Sequence, residues 1–215
     1  MKQLIALGSF AALMIACTPS GGKSVEATTA GVVNTIVGTE ITVDTMMSVV
    51  EWQGFKPGGS HHGIVLLKSG TIHMQDSTPV GGTFVIDMTK IIDQDLTESS
   101  GKSKLEGHLA SADFFDVAKY PTAKFDITQL SQIVDNNYTH QVTGNLAIKD
   151  SVKQISFMVK YWNQDGIRYA ESEEFDIDRT KWGVTYSSKS VFAELKDKFI
   201  NDEIRIKVRL QTDIE

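Results

Sequence analysis

The chain has 215 residues, of which 41% are hydrophobic, and this length and composition suit one domain with a single apolar core. Its 21 basic and 27 acidic residues give a net charge of −6 at pH 7. An acidic balance argues against nucleic acid as a partner, because phosphate backbones select basic surfaces.

The N-terminus has the organisation of a bacterial lipoprotein signal. Lys2 is followed by the apolar run LIALGSFAALMIA, which is too short to cross a bilayer. The run ends at Cys17, the only cysteine of the chain, in a segment, LMIAC, that resembles a lipobox. The resemblance implies removal of residues 1–16 and lipidation of Cys17, and several acyl chains make a stable membrane anchor. The alternative is an ordinary signal peptide in which Cys17 has no role.

Residues 17–38 are predicted to form a flexible tether. The segment is rich in Gly, Ser and Thr and shows little hydrophobic periodicity. A random coil of about twenty residues reaches roughly 25 Å, which would hold a folded domain clear of a lipid surface. The apolar stretch 32–37 is alternatively a first strand, so the predicted domain, residues 39–215, has an imprecise start.

Alternation of apolar and polar residues dominates the predicted domain. In DEIRIKVRLQT, Ile204, Ile206 and the next two aliphatic residues share one face, and charged residues occupy the other. Similar alternation predicts strands in SVVEWQG, SGTIHMQ, GGTFVIDM, TAKFDITQL, VTGNLAIKD, KQISFMVKYW and GIRYAESEEFDID. In the last segment, Ile167 and Tyr169 are assigned to the apolar face. About eight such strands favour an antiparallel sheet, which must pack on another sheet or close into a barrel.

One substantial helix is predicted in SKLEGHLASADFF. Its three- and four-residue spacing places Leu105, His108 and Leu109 on one face. Phe114 and Phe115 follow, and an aromatic pair is costly to expose. A helix lying across the end of a barrel would let this pair plug or line the mouth of a cavity. The segment MTKIID is also predicted to contain a helical turn.

Motifs for catalysis and metal binding are sparse. His61 and His62 lie in a glycine-rich loop, and His73, His108 and His140 are scattered along the chain. Adjacent loop histidines are more often exposed than bound to a metal, which needs several ligands. The sequence contains no Gly-x-Ser-x-Gly elbow, phosphate loop or dinucleotide fingerprint. We therefore predict no catalytic residue, no metal site and no cofactor.

Several segments together resemble the YceI-like family of periplasmic isoprenoid-binding proteins. They are, in order, SVVEWQG, GGTFVIDMTKI, LEGHLASADFFDVAKYPTAKF, VTGNLAIKDSVKQISF, FDIDRTKWGV and NDEIRIKVRL, and they span most of residues 39–210. The resemblance implies an all-β fold, an extended eight-stranded antiparallel lipocalin-like barrel with a short helix at one end. It also implies a long internal pocket for a polyprenyl chain. The GFKPGGSHHG loop and the lipobox are departures from the family pattern.

The resemblance and the strand alternation together indicate which side chains contact the ligand. An apolar lining suits an alkyl chain, whose burial contributes about 25 cal/mol per Å². The alternative is that the same side chains fill a solid core. The predicted ligand contacts are Trp52, Phe84, Ile86, Phe114, Phe115, Phe125, Ile127, Leu146, Ile155, Phe157, Val159 and Phe175.

The sequence thus predicts a lipid-anchored, periplasm-facing protein of the bacterial envelope that sequesters or carries an isoprenoid lipid. A homodimer is left open. Two rival hypotheses are an enzyme acting on a hydrophobic substrate in the same pocket and an envelope-stress or adhesion module that binds no ligand, whose barrel is a scaffold with a filled interior. Clustering of His61, His62 and His73 around a metal would favour the enzyme.

The predicted headgroup of the lipid is neutral or weakly polar, as in a quinone. A buried diphosphate needs paired cations, and the loops at the barrel ends offer few. The candidates are Lys56, Lys119, Arg179 and Lys181, of which Arg179 and Lys181 form the most plausible pair.

Overall fold

The computed structural model describes residues 22–35 and 37–212. The predicted signal peptide and Cys17 lie outside these residues. Within them, eight long antiparallel strands form a barrel to which four short strands are added. The strands are β1 (Lys23–Ser24), β2 (Thr28–Thr29), β3 (Thr39–Thr42), β4 (Val49–Lys56), β5 (Gly59–Gln75), β6 (Thr78–Asp93), β7 (Thr122–Gln132), β8 (His140–Ile148), β9 (Ser151–Gln164), β10 (Ile167–Ser172), β11 (Phe175–Asp178) and β12 (Glu203–Gln211). The helices are α1 (Lys102–Ala110) and the 3-10 turns Glu98–Ser100, Arg179–Trp182 and Ala193–Leu195.

The barrel is closed by its last strand. Strands β4 to β10 pair with their neighbours in chain order, and β12 pairs with both β10 and β4. The long β5 pairs with β4 along its first half and with β3 along its second. Closure leaves one face of every strand inside, so the alternation in the sequence becomes an apolar interior. The predicted fold class is confirmed.

Two predictions of local structure are wrong. The segment MTKIID is not helical, because β6 continues through it to Asp93 and pairs with β5. In β10, Ala170 and Ser172 face the interior, so Ile167 and Tyr169 lie on the outer face, where Tyr169 stacks on Trp162. The strand is interrupted between β10 and β11, and this interruption changes which residues point inward.

The same break opens a gap in the barrel wall. Glu173 donates its N–H to the Met158 carbonyl and accepts the Met158 N–H through its carboxylate, both at 2.9 Å, which ends the pairing with β9. Beyond this point β11 pairs with β12. The segment that begins at residue 22 fills this gap, because its strand β1 pairs in parallel with β11 and its strand β2 pairs antiparallel with β9.

We call residues 22–31 the N-terminal strap. The Val25 side chain is 9% exposed and joins the core that contains Phe175 and Ile155. At the other end of the strap, the Asn145 side chain bonds both the N–H and the carbonyl of Gly31, each at 2.8 Å. This part of the predicted tether is therefore part of the barrel wall. Its Gly, Ser and Thr content resembles that of a linker, and its pairing with strands more than a hundred residues away leaves no local pattern.

Helix α1 and the segment that follows it lie at one end of the barrel. The helix packs on β6, and the Glu106 carboxylate accepts the Asp93 N–H at 2.9 Å. The chain then turns back on the helix through hydrogen bonds from the Phe115 N–H to the Leu109 carbonyl and from the Val117 N–H to the Ala110 carbonyl. The aromatic pair is thereby fixed against the barrel. In the part of the chain described, no helix has both the length and the hydropathy needed to cross a membrane.

Candidate ligand-binding cavity

An apolar cavity of about 420 Å³ runs along the barrel. This volume lies within the range of small-molecule sites, roughly 300–1,000 Å³. Each of the eight long strands contributes to its lining, as do β11 and α1. Most of these side chains are aliphatic or aromatic, so the space favours an apolar ligand over water or a polar one.

The two ends of the cavity differ in polarity. The helix end is bounded by α1, residues 111–117 and the turn Arg179–Trp182. The far end is bounded by Pro79, Leu130, His140, Tyr161 and Leu210. Most of the polar lining residues lie at the helix end, namely Lys56, His61, His108, Arg179, Asn201 and Glu203. A ligand with an apolar chain and a polar head therefore has a preferred orientation.

All of the ligand contacts predicted from the sequence line this cavity. They are Trp52, Phe84, Ile86, Phe114, Phe115, Phe125, Ile127, Leu146, Ile155, Phe157, Val159 and Phe175. The structure brings them together on one continuous surface, and their contact with a ligand stays a prediction.

Three phenylalanines from β7, β9 and β11 form a group within the lining. The Phe157 ring is stacked on Phe175 with centroids 4.5 Å apart, and Phe125 lies 5.6 Å from Phe157. Gly144 permits this arrangement, because a Cβ atom at that position would lie 2.4 Å from the Phe125 ring. The three rings thus form part of the apolar lining between the helix end and the far end.

Sequence reasoning missed part of the lining. Ala170 and Ser172 were missed because of the break after β10. Val184, Ile200 and Asn201 lie in irregular segments, where no periodicity indicates which way a side chain points. The inward residues of β12 had a clear signal in the alternation of DEIRIKVRLQT, and they too line the cavity.

Phe114 and Phe115 both lie at the helix end and line the cavity. The Phe114 ring is 5.1 Å from the His108 ring and 5.4 Å from Tyr186, and it lies under the Arg179 guanidinium at 5.6 Å. Phe115 is tilted against Phe114 at 6.3 Å. The pair therefore closes this end of the barrel and contributes to the cavity surface.

Arg179 is 2% exposed, and its donors are engaged by the protein itself. Its three guanidinium nitrogens donate to the carbonyl oxygens of Asn201, Val184 and Ile200 at 2.8 to 3.0 Å. The Asp202 carboxylate lies 3.6 Å away. Burial lowers the pKa of Arg179, and the carboxylates of Asp202 and Asp178 oppose that shift. Arg179 thus organises the helix end and has few donors left for a headgroup.

The other predicted cations differ in their access to the cavity. Lys181 is 55% exposed and lies 3.5 Å from the Asp178 carboxylate. Lys119 lies over the ring of Tyr120. Lys56 and Glu203 both line the cavity at the helix end. The helix end therefore lacks a pair of free cations among the described residues.

His140 lies at the far end and is 7% exposed. Its Nδ1 atom is 2.8 Å from the Thr139 hydroxyl, and its ring meets Tyr161 edge to face. Burial lowers the pKa of His140, so the ring is neutral at pH 7. The far end consequently carries no charge from this side chain.

The three histidines whose clustering would favour the rival enzyme hypothesis do not form one cluster. His61 and His62 lie within 4 Å of the same carboxylate, that of Asp95. His73 lies in the second half of β5, opposite Glu40 and Gly81.

The closed barrel and its long apolar cavity define a lipocalin-like protein with an internal ligand-binding space. A model of the YceI-like domain matches residues 37–212. The chain belongs to the YceI-like family, as the resemblance of its segments predicts.

Similar proteins agree with this assignment. A UPF0312 protein of Pseudomonas putida strain F1 is 39% identical over 62 residues, which are 29% of this chain and 31% of the relative. The match thus spans about a third of that relative's length. The crystal structure of BcnA from Burkholderia cenocepacia has a TM-score of 0.63 at 19% identity and covers 80% of this chain and 99% of its own. A polyisoprenoid binding domain from Saccharophagus degradans has a TM-score of 0.57 at 11% identity, with coverages of 81% and 98%. At identities this low, the comparison shows that the two structures have the same fold as this chain and no more.

Proposed function

We propose that this protein binds an isoprenoid lipid in its barrel and sequesters or carries it in the bacterial envelope, without a covalent step. The observation that carries the proposal is the apolar cavity that extends from the helix end to the far end. Burial of an alkyl chain in such a space contributes about 25 cal/mol per Å². Membership of the YceI-like family and the polyisoprenoid-binding name of one structural neighbour support this ligand class.

The proposed headgroup is neutral, as in a polyprenyl quinone, and lies at the helix end. Lys56 and Glu203 carry opposite charges there, and the Arg179 donors are held by backbone carbonyls. A diphosphate buried at this end would lack a cationic clamp, and unpaired buried charge is costly. Asn201, His61 and His108 offer hydrogen bonds to a carbonyl or hydroxyl group.

The first experiment asks whether lipid occupies the cavity. The protein is purified from its native membrane fraction, measured by native mass spectrometry, and extracted to identify any co-purifying lipid. We expect a bound isoprenoid in the wild type and a lower occupancy in Ile155→Trp, because Ile155 faces the cavity. The matched control is Val152→Trp, on the same strand and 46% exposed, which should keep its lipid.

The stability of Ile155→Trp separates a cavity from a solid core. A tryptophan that enters open space should change the free energy of unfolding by less than the ~1–3 kcal/mol that overpacking a filled core costs. Loss of folding without a selective loss of lipid would argue against the proposed function.

A second experiment tests the headgroup. A polyprenyl quinone and a polyprenyl diphosphate of equal tail length are titrated into delipidated protein at two salt concentrations. We expect tighter binding of the quinone with little dependence on salt. Tighter binding of the diphosphate that weakens steeply with salt, and that Lys56→Gln abolishes, would contradict the neutral headgroup.

A further inference from the structure

A histidine and two aspartates converge beside the helix end of the cavity. One side-chain ligand atom from each of His61, Asp93 and Asp95 lies within 4.8 Å of the other two. Pairing of β5 with β6 produces this arrangement, because Gly63 lies opposite Asp93. The Gln94 N–H then donates to the His62 carbonyl at 2.9 Å and holds the next residues against the start of β5.

Asp93 is the unusual member of this group. It is fully buried, and its Oδ1 atom accepts the Leu96 N–H at 2.7 Å. Its Oδ2 atom is also buried and receives no hydrogen bond from a donor group, and the Asp93 side chain faces the Asp95 carboxylate. A buried carboxylate oxygen without a donor is costly, and native proteins almost always satisfy such an atom. A cation bound beside this oxygen would satisfy it.

The second carboxylate faces the same space. Asp95 Oδ2 lies 2.9 Å from His61 Nδ1, and Asp95 Oδ1 accepts the His62 N–H at 2.7 Å. An ion pair with a protonated His61 would provide a partner for the Asp95 carboxylate. It would leave the buried Asp93 oxygen unsatisfied. A divalent ion among the three side chains would balance two carboxylate charges and satisfy that oxygen.

The nature of the ligands selects the ion. Imidazole nitrogen and carboxylate oxygen are ligands of Zn²⁺ and of other first-row divalent ions, whereas Mg²⁺ prefers oxygen and water. The His62 ring, whose Nδ1 atom is 3.7 Å from Asp95 Oδ1 and whose side chain is 56% exposed, is a fourth ligand within reach of a side-chain rotation. Hydrogen bonds already orient Asp93, from the Leu96 N–H to its carboxylate and from its own N–H to Glu106.

We propose that His61, Asp93 and Asp95 bind a divalent transition-metal ion, with Zn²⁺ the best match, and that His62 completes the site. Bound there, the ion connects the hairpin of β4 and β5 to the chain that leads into α1, and so fixes the helix end. The site is neutral in charge when filled, because two carboxylates balance the ion. The proposal rests on these side chains and is independent of the identity of the lipid.

The test is a calorimetric titration of zinc chloride into full-length protein that has been dialysed against a chelator and carries no affinity tag. We expect one zinc ion per chain and a rise in melting temperature on binding. Asp93→Asn and His61→Gln should each weaken binding by at least about tenfold. His73→Gln is the matched control, since it removes a histidine from the same strand away from the site, and it should bind like the wild type.

Stability without metal provides a second measurement. In the presence of chelator, Asp93→Asn should melt at the same temperature as the wild type or higher, because it removes one of two facing carboxylates. Added zinc should raise the melting temperature of the wild type but not of this variant. Binding with variable stoichiometry, or binding that survives in the double variant of His61→Gln and Asp93→Asn, would overturn the proposal.

Discussion

Arg179 bonds three backbone carbonyls in two segments of the chain at the helix end of the cavity. Its guanidinium bonds the carbonyl of Val184, just after its own 3-10 turn, and the carbonyls of Ile200 and Asn201, just before β12. The Asp178 side chain begins the turn by accepting the Thr180 N–H. These bonds hold irregular chain over the barrel where no strand could provide partners.

Arg179→Met should lower the free energy of unfolding by at least about 3 kcal/mol, because it leaves buried carbonyl oxygens and Asp202 without their partner. Urea denaturation followed by circular dichroism measures the change. Lys181→Met, an exposed substitution in the same turn, should change stability by no more than about 0.5 kcal/mol. Equal effects of the two substitutions would show that the Arg179 bonds contribute little.

His140 should make the protein less stable in mild acid. Burial lowers its pKa in the folded protein, so the unfolded chain, with a pKa of about 6.5, binds the proton first as the pH falls. The contribution of neutral His140 to stability is therefore fully present above the pKa of the unfolded chain. It is lost as the pH falls toward the lower pKa of the folded protein.

Unfolding free energies at pH 7.5 and 5.5 measure the effect of His140. We expect His140→Gln to lose less stability between these two pH values than the wild type does. Gln141→Ala, at an exposed position next to His140 on β8, should behave as the wild type. An unchanged pH dependence in His140→Gln would assign the loss to other groups.

At the scale of elements, the N-terminal strap completes the wall between β9 and β11. Two short ladders and the Asn145 side chain hold it, and Val25 provides its contact with the core. Its few bonds predict that it opens more readily than the strands it joins.

Asn145→Ala should loosen the N-terminal strap and leave the barrel folded. The substitution removes two hydrogen bonds to Gly31, each contributing on the order of 1 kcal/mol. Hydrogen–deuterium exchange should become faster in residues 22–31 and stay unchanged in β6 and β7. The control is Asn163→Ala, an exposed position on β9. Uniformly faster exchange throughout the chain would instead indicate a general loss of stability.

At the scale of the whole molecule, the N-terminal strap shortens the stretch of chain between the barrel wall and the predicted lipidation site. If Cys17 is the lipidated residue, five residue steps separate it from Gly22, which span at most roughly 18 Å when fully extended. That distance is shorter than the reach of the predicted tether. The barrel would then lie closer to the lipid surface than the predicted tether allows.

Cys17→Ser should move the protein from the membrane fraction to the soluble fraction, because the substitution removes the sulfur that carries a lipid. Fractionation combined with metabolic labelling by a fatty acid measures this directly. Ser20→Ala, which keeps Cys17, should remain in membranes and carry the label. A wild type without label, together with a membrane-bound Cys17→Ser, would exclude the lipoprotein signal.

The sequence predicts the barrel and its lining well because alternation and closure together determine which side chains lie inside. Phe125 and Phe157 could be assigned to the interior from the alternation alone, whereas only the family resemblance favoured a cavity over a solid core. The gap after β10 was not predictable, since the glutamates of GIRYAESEEFDID suggest a bulge in the strand but do not indicate where its pairing with β9 ends. The sequence also does not indicate that His61 and Asp93 belong to one site, because only the pairing of β5 with β6 brings them together.

The position of the N-terminal strap affects how this protein should be prepared. A recombinant fragment cut to the limits of the family match, residues 37–212, begins after the strap and lacks both of its ladders. The edges of β9 and β11 are then unpaired, and unpaired strand edges promote aggregation. Such a sample would expose apolar side chains near Phe175 to solvent and open the cavity through the side of the barrel. Samples for binding assays should therefore start no later than residue 22.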